Sequence, residues 1–219
     1  MITPETLKKS EAINTYITRA DEALIALGYT EHSFAHVTRV AQFAEDLLLQ
    51  LNYDNRTAEL AWMAGYLHDI GNIVNRIDHA QSGAVMAFRI LDKMGMSANE
   101  VSTIISAIGN HDESTAFPVN PVAAALILAD KTDVRRSRVR NTDFATFDIH
   151  DRVNYAVTSA KTIVNIEEKY VCLVLEIDTA LSPVMDYFEI FLHRMLLCRK
   201  AAEKLSLNFR LSINGQNLL

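Results

Sequence analysis

A stretch of the chain that is apolar nearly all round, AELAWMAGYL at residues 58–67, runs directly into a histidine and an aspartate, His68 and Asp69. A helix without a polar face is buried on every side, and this one is too short to cross a bilayer. The stretch therefore carries His68 and Asp69 into the interior of a helical fold. A buried carboxylate without a partner is costly, so the site needs a compensating charge.

A divalent cation would compensate this pair, because imidazole and carboxylate are both good ligands for first-row metals and adjacent residues at a helix end can reach one ion. For an isolated dipeptide the simpler interpretation is favoured, namely that the pair caps or hydrogen-bonds the helix end. Further possible ligands elsewhere in the sequence favour a metal site over a simple helix cap. Other metal-competent side chains lie at the ends or edges of apolar helical segments: His36, His79, His111 and Asp130.

Helical spacing continues on both sides of this stretch up to about residue 130. Apolar residues three and four apart, from Phe34 to Leu51, predict one amphipathic helix. Ser97 and Glu100 are spaced as a capping box and predict the start of another. The spacing thus predicts an all-α body of five or six helices, followed by a polar, Arg-rich connector. Besides the helix at 34–51 and the apolar stretch, the predicted helices lie at about 78–94, 97–109 and 120–131, and the connector at about 132–148.

The last seventy or so residues change character and predict a small α+β appendage. We expect a mainly α fold with two units, a helical domain at 1–148 and an α+β subdomain at 149–219. The predicted elements of the subdomain are a helix near 150–163, a strand at 170–177, a helix at 182–205 and an alternating segment at 208–214.

Composition narrows the class of protein. A chain of 219 residues with 49% apolar residues can bury a substantial core, and its net charge of −6 argues against binding a nucleic-acid polymer. The basic cluster at 131–140 runs against that charge and could hold a phosphate. Neither a signal peptide nor a membrane span is indicated, so we expect no membrane association and a cytoplasmic location. Cys172 and Cys198 are expected to be buried free thiols.

The ordered pattern H…HD…D resembles the HD superfamily of phosphohydrolases, which carry these residues on an all-helical bundle. The matching residues are His36 in AHVTRVA, His68 and Asp69 in AGYLHDIGN, and Asp130 in LILADKTD. His79 in HAQSGA and His111 in IISAIGNHDE follow in the order found in a branch with a dinuclear centre. That arrangement is similar to the HD-type symmetrical diadenosine tetraphosphatases, and the resemblance covers about residues 30–140.

The resemblance implies one or two divalent transition metal ions. Fe, Mn, Co, Ni and Zn suit a histidine-rich ligand set better than Mg does. Asp69 would bridge two ions, one held also by His36, His68 and Asp130, the other by His79 and His111. His79 follows His68 by only eleven positions, a short connection for the dinuclear branch. A rival for His36 is His32, four residues earlier on the same predicted face.

One departure from the family pattern concerns charge. Many members follow the HD pair with a lysine, HDIGK, where this chain has Asn72 in HDIGN. An amide can hydrogen-bond a phosphate oxygen but cannot neutralise it. The missing charge could come from one of four basic residues, each of which could equally be a solvated surface cation. These are Arg76, Lys131, Arg135 and Arg136.

We therefore predict that the chain hydrolyses a small phosphorylated substrate, a nucleotide, by a metal-activated water. The predicted catalytic residues are Asp69, Asn72, Arg76 and Lys131. With a single ion the water would need a general base, and Asp112 or Glu113 is the first candidate.

Two other functions stay open. One is a regulatory module that binds a nucleotide without turning it over, and the other is oxygen chemistry at a di-iron site. The strand at 170–177 would be a natural sheet edge for a symmetric homodimer.

Overall fold

The computed structural model describes all 219 residues, of which the first 131 form a helical body. It has seven helices where five or six were expected, because the segment after Pro4 forms a short helix of its own before the chain restarts at Ser10. The helices are α1 (Pro4–Lys8), α2 (Glu11–Ala26), α3 (Phe34–Gln50), α4 (Asn55–Leu67), α5 (His79–Lys93), α6 (Ala98–Gly109) and α7 (Pro121–Lys131).

Short polar side chains define where most of these helices begin. In each case a side-chain oxygen accepts a hydrogen bond from a backbone N–H of the first turn, which has no partner within the helix. Ser97 accepts from the N–H of Glu100, as the spacing of these two residues predicted. The other caps of this kind are Ser10, Ser33, Asp54 and Asn120.

Two helices without a polar face form the centre of the body. Every residue of α7 from Val122 to Lys131 is buried. In α4 the predicted burial of residues 58–67 is confirmed, with Glu59 the exception. Helix α4 packs against α3, α6 and α7, so its carboxyl end, where His68 and Asp69 lie, is surrounded by other helices.

The remaining residues form a four-stranded sheet and two helices, which confirms the mainly α fold with a small C-terminal α+β part. The elements are α8 (Ile149–Ala156), β1 (Val157–Asn165), β2 (Tyr170–Ile177), α9 (Val184–Lys204), β3 (Asn208–Ile213) and β4 (Gln216–Asn217). Strands β1 and β2 are antiparallel, β2 and β3 are parallel through the crossover helix α9, and β3 and β4 are antiparallel, in the spatial order β1-β2-β3-β4.

Two predictions for this part were wrong. The helix expected near 150–163 ends at Ala156, because the β-branched residues that follow pair with β2, as Ile163 does opposite Cys172. Strand β2 is not an edge, since β1 and β3 flank it. The homodimer stays a prediction, but β2 cannot provide its contact.

Other features bear on the remaining predictions. Cys172 and Cys198 are free and buried, as predicted. None of the helices has the length and apolar character needed to cross a membrane. Helix α9 packs directly against α7 of the helical body, so the predicted units, 1–148 and 149–219, share a packed contact. The boundary between them stays a prediction.

Two glycines let the turn after the HD pair approach α5. The 3-10 turn Ile70–Ile73 begins directly after Asp69. A Cβ atom at Gly71 would lie 2.0 Å from the carbonyl oxygen of His79 and 2.4 Å from the amide nitrogen of Gly83. Both neighbours are backbone atoms that cannot move aside alone. Glycine at position 71 therefore fixes how closely His68 and Asp69 approach the start of α5.

We predict that Gly71→Ala lowers the free energy of unfolding by at least about 3 kcal/mol, because the added methyl group separates two packed backbones. Gly109→Ala is a matched control, since its Cβ would make only an ordinary 3.6 Å contact with the Cβ of Ala84. The control should change stability by less than about 1 kcal/mol. Denaturant unfolding of both variants checks this, and equal stability would contradict it.

Candidate metal centre

The fold brings the six predicted ligands together in its interior. Five helices contribute them: the first turn of α3, the end of α4, the start of α5, the second residue past the end of α6, and the last turn of α7. None is more than 9% exposed. In chain order they are His36, His68, Asp69, His79, His111 and Asp130.

Four of these side chains form a first cluster of donor atoms. His36 Nε2 lies 3.6 Å from Asp69 Oδ2 and 3.4 Å from Asp130 Oδ1. His68 Nε2 lies 3.1 Å from Asp69 Oδ2 and 3.8 Å from Asp130 Oδ1. Ligands bound at about 2.1 Å to one ion are about 3.0–3.4 Å apart, which is close to these separations. His36 Nε2, His68 Nε2 and Asp69 Oδ2 are buried without a hydrogen-bond partner, so the residues fit a cation.

A second cluster adjoins the first through Asp69. His79 Nε2 lies 3.2 Å from His111 Nε2 and 3.7 Å from Asp69 Oδ1. His68, Asp69 and His111 also offer donor atoms within 4.8 Å of one another. One oxygen of Asp69 thus lies near each cluster. This arrangement suits a carboxylate bridging two ions.

The second nitrogen of each histidine makes a hydrogen bond away from the clusters. The acceptor is always an oxygen without a proton, so Nδ1 must be the donor; each Nε2 faces inward and carries the lone pair when the imidazole is neutral. The bonds run from His36 to Asp133 Oδ2 (2.8 Å), from His68 to Gly65 O (2.7 Å), from His79 to Arg76 O (3.1 Å) and from His111 to Ile108 O (2.6 Å).

Protonation in the ligand-free protein also suits metal binding. Burial lowers the pKa of His111 to about 3, assisted by the positive charges of His68 and Lys131. Burial alone would raise the pKa of Asp69 and of Asp130, but His68 beside the first and Lys131 beside the second hold both pKa values well below their usual range. A neutral imidazole and two ionised carboxylates result. These are the forms that bind a divalent ion.

Asp133 is a candidate positioning residue that the sequence interpretation missed. It lies three positions after Asp130, accepts the Nδ1 proton of His36, and accepts a second bond from Arg135 Nε at 2.7 Å. Burial opposes its ionisation, yet the bonds from His36 and Arg135 hold its pKa well below the usual range. A second aspartate three residues after a predicted ligand, at a helix end, was the signal that could have found it.

Asn72 lies beneath the centre. Its amide nitrogen donates to Asp69 O and Asp69 Oδ1, both at 2.9 Å, and its oxygen accepts from Arg76 Nη1 at 3.2 Å. It is 2% exposed and does not line the polar cavity that opens over the centre. Asn72 therefore orients Asp69 instead of meeting a phosphate.

A polar cavity of about 400 Å³ opens over the centre. Asp69, His79, His111 and Asp130 reach it, and its apolar lining is limited to Leu27, Tyr29 and Phe191. Residues that the sequence analysis did not predict complete the wall, because they come from the connector, α8 and α9, far from the HD pair in sequence. They include Arg138, Asp148, His150, Asp151, Asn154 and Arg194.

One wall of the cavity is a chain of ion pairs that reaches α9. Lys131 Nζ lies 2.7 Å from both Asp130 Oδ2 and Glu113 Oε2, and Arg194 Nη2 donates to Glu113 Oε1 at 3.0 Å. Burial opposes the charge of Glu113, but Lys131 and Arg194 hold its pKa far below the usual value. Such a weak base does not suit the general-base role considered above. Asp112 is no better placed, because it does not line the cavity.

The predicted phosphate-binding cations separate into two groups. Arg76 and Lys131 line the cavity, whereas Arg135 and Arg136 do not. Arg135 is paired with Asp133 and Glu31, and Arg136 bonds to the carbonyl oxygen of Tyr155. Arg135 and Arg136 of the connector are thus held by contacts within the protein and are not directed into the cavity.

His32, the rival of His36, lies outside α3, which begins at Phe34, so the two do not share a helix face as expected. It lines the cavity, and its ring centre is 5.4 Å from that of His36. His36, not His32, belongs to a donor cluster.

Residues 33–135 match the family model of the HD domain. This span contains all six predicted ligands and confirms the resemblance to the HD superfamily. The closer resemblance to symmetrical diadenosine tetraphosphatases stays a prediction. The crystal structure of a predicted HD superfamily hydrolase from an uncultured Thermotogales bacterium is similar at 24% identity, covering 57% of this chain and 67% of that chain, with a TM-score of 0.45. Among curated proteins, none matches this sequence.

We predict that Asp133→Asn weakens metal binding about 10- to 100-fold, because the amide no longer holds His36 by a charged hydrogen bond. Asp143→Asn, which alters an exposed carboxylate in a loop away from the centre, is the matched control. Calorimetric titration of each metal-free variant with Mn²⁺ or Co²⁺ measures its affinity for the metal. Equal affinities in the two variants would show that Asp133 does not position His36.

Proposed function

We propose that this protein is a metal-dependent phosphohydrolase that cleaves a phosphate ester or anhydride, because residues 33–135 match the HD domain. HD-domain proteins are in general metal-dependent hydrolases. The observation that carries the proposal is the common direction of the four imidazoles. Their Nε2 atoms and the carboxylates of Asp69 and Asp130 face one buried centre at the floor of a polar cavity.

The proposed ligands follow the two clusters. His36, His68 and Asp130 would hold one ion, His79 and His111 a second, and Asp69 would lie between the ions. A bound divalent ion supplies an acidified water and polarises a phosphoryl oxygen. Four imidazoles favour Fe, Mn, Co, Ni or Zn over Mg.

The surrounding side chains would orient the reactants. Lys131, with its amine 2.7 Å from Asp130, helps to keep that carboxylate ionised and correctly placed. Asn72 does the same for Asp69 through its amide. Arg76 lines the cavity and can donate to an oxygen of a bound phosphoryl group.

A nucleotide is the substrate class that we propose to test first. Tyr29 lines the cavity and is 43% exposed, so its ring is accessible to a base. The walls are otherwise polar, which also suits a compact sugar phosphate. A panel of substrates should therefore contain nucleoside monophosphates, a diadenosine polyphosphate, sugar phosphates and p-nitrophenyl phosphate.

We predict hydrolysis of at least one member of this panel in the presence of Mn²⁺, Co²⁺, Fe²⁺ or Ni²⁺. Asp69→Asn and His68→Gln should each lower kcat/KM at least about 100-fold, because each removes a proposed ligand. His193→Gln is the control, since His193 is exposed on α9 and lies outside the cavity. Released inorganic phosphate, and the nucleotide products of the diadenosine polyphosphate, are measured together with metal content per chain.

Three results would contradict the proposal. They are tight metal binding without hydrolysis of any substrate, nucleotide binding without turnover, and iron-dependent oxygen uptake without hydrolysis. The second would indicate a regulatory nucleotide-binding module, and the third would indicate oxygen chemistry.

A further inference from the structure

Arg138 is a buried cation of the connector that reaches the cavity. Of the basic residues between positions 131 and 140, only Lys131 and Arg138 line it. The side chain of Arg138 is 7% exposed. It comes from a 3-10 turn, Arg136–Arg138, within the basic cluster at 131–140.

Backbone carbonyl groups hold this guanidinium in place. Its Nε donates to the carbonyl oxygen of Glu31 and its Nη1 to that of Asp133, both at 2.9 Å. A neutral carbonyl oxygen orients a guanidinium but does not neutralise it. The carboxylate oxygen of Asp133 lies 3.9 Å from Nη1, beyond hydrogen-bond distance, and already accepts the proton of His36.

The other cavity cations differ from Arg138 in this respect. Lys131 has two carboxylate oxygens at 2.7 Å, and Arg194 has one carboxylate partner, Glu113. Arg76 bonds to the Asn72 amide and lies over the ring of Tyr29. Burying a charge is costly unless an anion compensates it, so Arg138 is the nine-tenths-buried cation here that still lacks a close anionic partner.

We propose that Arg138 binds the phosphoryl group of the substrate, supplying the charge that Asn72 does not carry. The carbonyl groups of Glu31 and Asp133 take one N–H from Nε and one from Nη1, and the remaining N–H groups are available to phosphoryl oxygens. A guanidinium whose plane is already fixed binds two oxygens of a phosphate in parallel. This inference rests on the proposed function, since it deepens the role of the same cavity.

The first experiment measures the binding of inorganic phosphate to the metal-loaded protein by calorimetry. Arg138→Gln should raise the phosphate Kd at least about tenfold, because the charged fork is lost while metal content is unchanged. Arg140→Gln is the matched control from the same connector, since Arg140 pairs with Asp21 and does not line the cavity. It should leave the phosphate Kd within about twofold.

Arg138→Lys separates a phosphoryl-binding role from a merely structural one. Lysine keeps the charge but not the planar fork, so its phosphate Kd should lie between those of the wild type and Arg138→Gln. If Arg138→Gln does not fold, the lysine variant decides the question. A folded variant, Gln or Lys, with the wild-type Kd for phosphate would overturn the proposal.

Kinetics separate this inference from the proposed function. On a hydrolysed substrate, Arg138→Gln should lower kcat/KM at least about 100-fold. A wild-type protein that binds phosphate through Arg138 but hydrolyses no member of the panel would leave this inference standing and refute the phosphohydrolase. Hydrolysis that is equally fast in the wild type and in Arg138→Gln would support the phosphohydrolase and refute the role of Arg138.

Discussion

Four hydrogen bonds from imidazole Nδ1 atoms to outlying oxygens determine what the centre of this protein can be. They turn four Nε2 atoms towards two ionised carboxylates, and all of these groups are buried inside a helical body. Two unprotonated nitrogens 3.2 Å apart, those of His79 and His111, have no proton to share. A divalent cation would resolve this conflict, and the convergence of five helices on one point fits the proposed metal centre.

The C-terminal part depends on the same centre through the ion pairs that begin at Asp130. Asp130 contacts Lys131, Lys131 contacts Glu113, and Glu113 binds Arg194 of α9. Because α9 is also the crossover between β2 and β3, the sheet supports the helix that closes one wall of the cavity. The sheet therefore supports the site without supplying any ligand. Together with α8, this part sets the shape of the cavity above the ligands, which is where selectivity for one phosphate substrate over another must arise.

The sequence predicted those features that local periodicity controls. The apolar faces of α3, α4 and α7 are strong enough to give the positions of these helices and the burial of His36, His68 and Asp130. It failed where tertiary contacts decide. The first half of β1 follows a helix directly, and only its pairing with β2 makes it a strand. Arg194 lies far along the chain from Glu113, and no spacing rule joins residues brought together by the packing of α9 on α7.

The contacts of Asn72 give a physical reason why this fold has an asparagine where many HD-superfamily members have a lysine. A lysine at this buried position would bring a second charge next to Asp69 and could not accept a hydrogen bond. The amide both donates to Asp69 and accepts from Arg76, so it orients the carboxylate and ties a nearby cation to the turn. The connector also brings a positive charge to the cavity, on Arg138, whose guanidinium is held by main-chain carbonyl groups. Asp133 links these two arrangements, because its side chain orients His36 while its carbonyl oxygen orients Arg138. This one residue thus sets the direction of a proposed metal ligand, His36, and of the Arg138 guanidinium, which lacks a close anionic partner.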